Sequence, residues 1–140
     1  MKLHDFFIHF PNTYAFLCSC RRIPNFEKIL YLRNIKKNQV VFDIGANIGV
    51  YTKLFSQLSG ENGTVHSFEP VPETFQLLID SVAGSKNIRI NNLAAGDTEG
   101  MMDISYDPKN SEKSSLLGPQ NNYNFVRTVK VLALDTYAQD

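Results

Sequence analysis

The segment VVFDIGANIGVYTKLFSQLSG, residues 40–60, constrains the fold of this chain more than any other. Residues 40–44 form a short apolar run ending in turn residues, which reads as a buried strand. Val50, Leu54 and Leu58 then recur at intervals of four, the spacing of an amphipathic helix over 49–59, and Gly60 ends it. Between strand and helix stand Asp43, Gly45, Asn47 and Gly49. A glycine-rich turn lets a ligand approach the backbone closely, and the helix start beyond it offers free amide hydrogens. The alternation continues. Residues 64–68 read as a second strand after the Asn62-Gly63 turn, and Pro72 opens a second helix with Phe75, Leu78, Ile79 and Val82 on one face. Ile88 and Ile90 then alternate with polar residues in a third strand. Strand, helix, strand, helix, strand predicts an α/β fold with a parallel sheet and right-handed crossovers. Ligands of such sheets bind at the carboxyl ends of the strands.

The flanks differ in character. Residues 101–106 and 125–134 read as strands, separated by a polar stretch from Asp107 to Asn124 with no helix long enough for another crossover. This predicts an antiparallel excursion with a long loop carrying Ser114, Ser115 and Leu116. Residues 1–34 read as helical pieces broken by Pro11 and Pro24, the last with Phe26, Ile29, Leu30 and Arg33 at helical spacing. The expected organisation is a helical N-terminal arm over 1–38 and a catalytic-type domain portion over 39–140.

Composition removes several classes. The 140 residues are 43% hydrophobic and 20% charged with net charge zero, which excludes a disordered tail, a collagenous chain and a globally basic nucleic-acid coat. The neutrality hides a split, because residues 1–38 carry net +5 and residues 39–140 net −5. The basic residues of the arm are scattered rather than lined on one face. The arm therefore reads as a cap packing its aromatics on the sheet, in preference to a membrane-surface or nucleic-acid segment. No apolar run reaches the roughly 18 residues of a membrane span. His4, Asp5, His9, Pro11 and Asn12 interrupt the N-terminal apolar run, which argues against a secretory signal. Cys18 and Cys20, with His4 and His9, match no zinc spacing, so no metal is expected and the thiols read as neutral in a reducing, cytoplasmic compartment.

Two nucleotide motifs fail at the glycine turn. The dinucleotide pattern G-x-G-x-x-G needs glycine where Asn47 and Val50 stand, which disfavours a nicotinamide oxidoreductase. The phosphate-loop pattern fails because no Gly-Lys-Ser/Thr follows. Asp43 beside the turn repels a pyrophosphate and suits a cation. Glu69, directly after the second strand, can accept both hydroxyls of a ribose, a feature dinucleotide enzymes share. Together the two carboxylates favour a ligand with a cationic amino acid end and a nucleoside end, and S-adenosylmethionine has both.

VFDIGANIGVYT, VHSFEPVPETFQLL, NNLAAGDTEG, SSL and VKVLALDTY occur in one order over about residues 38–137, and together they resemble the FkbM family of methyltransferases. The resemblance implies the Rossmann-like class I S-adenosylmethionine-dependent fold, a parallel sheet with helices on both faces. It implies that Asp43, Gly45, Asn47 and Gly49 line the methionine end of the cofactor and that Glu69 holds the ribose. It suggests that Asn92 and Leu93 flank the adenine. It further implies O-methylation of a small-molecule or glycan hydroxyl. Asp107-Pro108-Lys109-Asn110 is not the motif of amino-directed nucleic-acid methyltransferases, and neither cysteine follows a proline as in the cytosine type. No nucleic acid is therefore expected as partner. In the family, the segment like LDTY is followed by a further core strand with an Ile-Asp-Val-Glu-Gly type motif, whereas this sequence stops at Asp140. The expectation is the N-terminal part of the domain, an incomplete sheet of three parallel strands plus the excursion. No catalytic base can be named. Turnover would need a C-terminal complementing chain; the alternative is a non-catalytic cofactor-binding half. Replacing Glu69 by alanine is expected to weaken cofactor binding while changing folding little.

Overall fold

The computed structural model describes residues 26–107 and 125–139. The arm before residue 26, with its cysteines and two histidines, and the stretch holding Ser114, Ser115 and Leu116 lie outside the described residues. The elements are α1 (Phe26–Asn34), β1 (Val40–Ile44), α2 (Val50–Ser59), β2 (Thr64–Phe68), α3 (Pro72–Val82), β3 (Ile88–Asn91), β4 (Ala94–Gly96), β5 (Gly100–Tyr106), β6 (Phe125–Ala133) and α4 (Leu134–Tyr137).

Strands β1, β2 and β3 form a parallel sheet in that order. The register sets Val41 beside Val65 and Val65 beside Ile88, then Asp43 beside Ser67 and Ser67 beside Ile90. Side chains alternate along a strand, so these six residues share one face. Two right-handed crossovers that step across a sheet in the same direction leave their helices on the same side. Accordingly, Leu54, Phe55 and Leu58 of α2 pack on Val65, joined by Leu32 of α1, and Leu78 and Val82 of α3 pack near Ile88 and Ile90. On the opposite face, α4 places Tyr137 edge-on against Phe42, His66 and Phe68. Helices therefore flank the sheet on both faces.

Two details of the helical patterns are corrected. In α1, Leu30 is 58% exposed and Leu32 is buried, because Tyr31 and Leu32 turn toward α2, with Tyr31 edge-on to Tyr51 and Phe55. In α2, Val50 is 65% exposed; it starts the helix beyond the strand ends, and the buried face runs through Thr52, Leu54, Phe55 and Leu58.

The second sheet has the order β4-β6-β5. The antiparallel excursion expected from sequence is β5 on β6, with Met102 opposite Val129 and Ile104 opposite Arg127. Strand β4 runs parallel to β6 and was not expected, since three residues are too short to show alternation. A Cβ on Gly96 would come within 2.6 Å of Val131 Cγ1, so the strand pairs closely only with glycine there. Ala94, Ile104, Tyr106, Val129 and Val131 form the core of this sheet with Val71, which precedes α3. Arg127 of the central strand ties this sheet to α3, with its guanidinium 5.5 Å from the Tyr106 ring centroid and 2.5 Å from a Glu73 oxygen of α3.

Candidate functional site

The carboxyl ends of β1 and β2 meet at one turn. Gly45, Asn47 and Gly49 all have positive φ, at 78°, 51° and 84°. Asparagine tolerates this region better than most side chains, which explains a non-glycine residue in the middle. The backbone N–H groups of Gly45 and Ala46 both donate to the carbonyl oxygen of Phe68 at 2.9 Å, tying the turn to the end of β2. The glycines differ in what they face. A Cβ on Gly49 would lie 2.8 Å from Leu78 Cδ1 and 3.1 Å from Ser81 Oγ, so Gly49 lets α2 approach α3. A Cβ on Gly45 would meet nothing within 4 Å, so this part of the turn faces open space.

Glu69 closes the turn from the other side. Its Oε2 accepts the Asn47 N–H at 2.9 Å and its Oε1 accepts the Val71 N–H at 3.0 Å. Its own N–H donates to the Asn91 carbonyl at 3.0 Å. The side chain is nearly enclosed at 6% exposure. Burial raises the Glu69 pKa, the two amide bonds oppose that rise, and the nearby Asp43 adds to it. The expectation that replacing Glu69 by alanine changes folding little meets a counter-argument in the structure: the carboxylate satisfies two backbone amides, one in each of two segments.

Asp43 sits at the end of β1 under the first turn of α2. Thr52 Oγ1 donates to Asp43 Oδ2 at 2.5 Å, and Ser67 Oγ donates to Thr52 Oγ1 at 3.3 Å. Thr52 and Ser67 are fully buried and Asp43 is 8% exposed. Burial pushes the Asp43 pKa above its ordinary value, with the Thr52 hydrogen bond acting in the other direction. Two desolvated carboxylates thus stand at neighbouring strand ends, a pairing that an added positive charge would relieve.

Asp43, Gly45, Asn47, Gly49 and Glu69 come together around this turn. Asn92, after β3, joins them through the main chain: its Nδ2 donates to the carbonyls of Glu69 at 2.8 Å and Pro70 at 3.1 Å. Leu93 is half-buried in the link from β3 to β4. Thr52 and Ser67 escape a sequence reading, because a buried hydroxyl has no periodic signature until the register of β1 on β2 puts it beside a carboxylate. Cavities lie both beside the turn, where one of about 430 Å³ is lined by residues including Ile48, Val50 and Leu54, and away from it. One of about 600 Å³, lined by residues including Ser56, Gly60, Glu61, Lys86 and Asn87, lies at the opposite, amino ends of the strands. Among the described residues no three His, Cys, Asp or Glu side chains gather to hold a metal ion, and no helix is long and apolar enough to cross a membrane.

Residues 43–140 match the family model of the methyltransferase FkbM domain. The 31-O-demethyl-FK506 methyltransferase FkbM of Streptomyces tacrolimicus is 37% identical over 82 residues, which cover 56% of this chain and 31% of that protein. The chain thus spans about a third of the length of this relative. Among solved structures, a SAM-dependent methyltransferase from Aquifex aeolicus superposes with TM-score 0.44 at 26% identity, covering 58% of this chain and 45% of that one. Fibrillarin from Aeropyrum pernix, in complex with S-adenosyl-L-methionine, superposes with TM-score 0.40 at 21% identity, covering 41% of this chain and 25% of that one. The family match starts at Asp43, the first carboxylate of the turn, and takes in every residue assembled around it. The chain belongs to the methyltransferase FkbM domain family.

Proposed function

We propose that this chain carries the S-adenosylmethionine-binding part of an O-methyltransferase whose acceptor is a hydroxyl of a small molecule or glycan. The observation that carries this reading is the placement of two buried carboxylates, Asp43 and Glu69, on either side of a turn that opens to solvent at Gly45. Asp43 suits the cationic amino acid end of the cofactor. The lone pairs of Glu69 not used by Asn47 and Val71 suit two ribose hydroxyls. On this reading Gly45, Asn47 and Gly49 shape the turn beside the methionine end, and Leu93, half-buried after β3, would flank the adenine. When bound, S-adenosylmethionine supplies an electrophilic methyl on a sulfonium, so the protein's main task is alignment of an acceptor oxygen. The name of the Streptomyces relative, which refers to an O-demethyl compound, supports oxygen as the acceptor atom.

A second reading is favoured by β1. Among the described residues it pairs only with β2, which leaves its other edge open, and Val40, Phe42 and Ile44 on one of its faces are 61%, 37% and 48% exposed. Such a strand suits pairing with a further chain, which would make this a cofactor-binding half that turns over only when complemented.

Calorimetry of the whole 140-residue chain with S-adenosylmethionine, S-adenosylhomocysteine and NADH tests the assignment. Binding of the first two without NADH is expected. NADH binding alone, or no binding of any of the three, would overturn it.

A further inference from the structure

The turn by which the chain leaves β2 contains Pro70, which has no N–H to give, and its carbonyls at Glu69 and Pro70 need donors from elsewhere. Asn92 provides both from one side-chain amide. Two carbonyl acceptors at once fix the orientation of that amide, because only its NH₂ end can donate to both. Asn91 completes the arrangement by accepting the Glu69 N–H at its carbonyl and donating from Nδ2 to the Ser67 carbonyl at 3.2 Å. The main chain of Glu69 is thereby held on both polar atoms from the end of β3, while its carboxylate is held by Asn47 and Val71.

We propose that Asn92 is a positioning residue that aims the Glu69 carboxylate at the ribose hydroxyls by bracing the β2 exit turn, and that it does not read the adenine base. The inference rests on the cofactor assignment above and assigns Asn92 a role different from the adenine contact implied by family resemblance. Asn92 itself is exposed, so its replacement does not open the core. The amide is nonetheless the donor on which the turn depends. Asn92→Asp keeps the shape, removes both donors and turns a carboxylate toward two carbonyls. Asn92→Ala removes the donors without adding charge.

The test is calorimetry of the whole chain and both variants with three ligands: S-adenosylhomocysteine, its 2′,3′-dideoxy analogue and its inosine analogue. Each variant is expected to bind S-adenosylhomocysteine about tenfold more weakly, because the unbraced Glu69 carboxylate loses about one hydrogen bond's worth of hold on the ribose. The penalty should vanish with the dideoxy analogue, which gives Glu69 nothing to hold, and persist with the inosine analogue. The reverse pattern, persistence with the dideoxy ligand and loss with the inosine ligand, assigns Asn92 to the base and overturns the proposal. Unchanged affinity for S-adenosylhomocysteine overturns it as well. Amide hydrogen exchange in the ligand-free chain provides a readout independent of binding: the Asn47 N–H should exchange faster in both variants, and unaltered protection counts against the proposal. A wild-type chain that binds none of the three ligands removes the cofactor reading itself, an outcome that involves no variant and is distinct from the others.

Discussion

The Glu69 carboxylate and the Asn47 backbone amide, 2.9 Å apart and 22 residues distant in sequence, join the exit of β2 to the turn after β1. This bond gives one side chain two duties. It holds the turn closed in the folded chain, and on the proposed assignment the remaining carboxylate lone pairs would take the ribose hydroxyls.

Glu69→Ala should therefore lower both stability and cofactor affinity. Leaving the Asn47 and Val71 amides without their acceptor is expected to cost about 1–3 kcal/mol in urea unfolding. Glu69→Gln retains one acceptor but faces an NH₂ group toward a backbone N–H, so it should fall between wild type and alanine. An unfolding midpoint for Glu69→Ala equal to wild type would mean that the clamp contributes nothing to the fold.

Asp43 predicts a pH dependence of definite sign. Its folded pKa lies above the ordinary 3.8 because of burial, so the folded state binds its proton more tightly than the unfolded state does. The stability linked to that proton is complete below the ordinary value and is lost as pH rises through the raised one. Asp43→Asn keeps an oxygen for Thr52 to bond and removes the buried charge. Its stability relative to wild type should grow as pH increases from about 4 to neutrality. Affinity for S-adenosylmethionine should move the other way: wild type weakens on acidification through the same range, and the variant is weak throughout. Parallel stability curves for the two proteins across this range would contradict the prediction.

The parts of this fold visible in the sequence are those governed by periodicity and turn chemistry. Leu54, Leu58, Leu78 and Val82 follow the helical repeat and are buried, and Asp43 and Glu69 stand where a strand run stops. Tertiary choices were hidden. Which side of α1 is buried depends on where Tyr51 and Phe55 wait for Tyr31, and no local pattern in α1 states that. The three residues of β4 are a strand only because β6 lies alongside. Thr52 and Ser67 owe their partners to the register of β1 on β2, so in the sequence alone two buried hydroxyls carry no signal.

The two turn glycines separate packing from backbone strain. Gly49→Ala meets Leu78 at 2.8 Å in addition to adopting a positive φ, so a loss of about 2–4 kcal/mol is expected, strain and overpacking together. Gly45→Ala has the positive φ but open space, so its loss should be nearer 1–2 kcal/mol. On the proposed cofactor assignment the order should reverse for cofactor binding beyond what stability explains, because a Gly45 methyl would project into the open space beside the turn. Chemical denaturation ranks the first effect and calorimetry the second. Equal affinity of Gly45→Ala and wild type would show that the open side of the turn is not where the cofactor lies.

Tyr137 makes the last prediction, on the opposite face of the sheet. Its hydroxyl is 2.7 Å from His66 Nδ1, and its ring meets Phe68 edge-on at 4.9 Å. Tyr137→Phe should cost about 0.5–1.5 kcal/mol for the hydrogen bond, and Tyr137→Ala about 1–3 kcal/mol as the aromatic contacts go too. Burial, then the charge of Arg89, lowers the His66 pKa, so the folded state binds that proton less readily than the unfolded state. The corresponding stability is complete above the ordinary 6.5 and is lost as pH falls through the lowered value. Among the described residues, the groups facing the imidazole besides Arg89 on β3 are the Tyr137 phenol from α4 and the uncharged Phe42 ring from β1, stacked at 5.1 Å. Wild type should thus lose stability on acidification below about pH 6.5 faster than His66→Phe does. An NMR titration placing His66 at or above 6.5 would remove the basis for this slope.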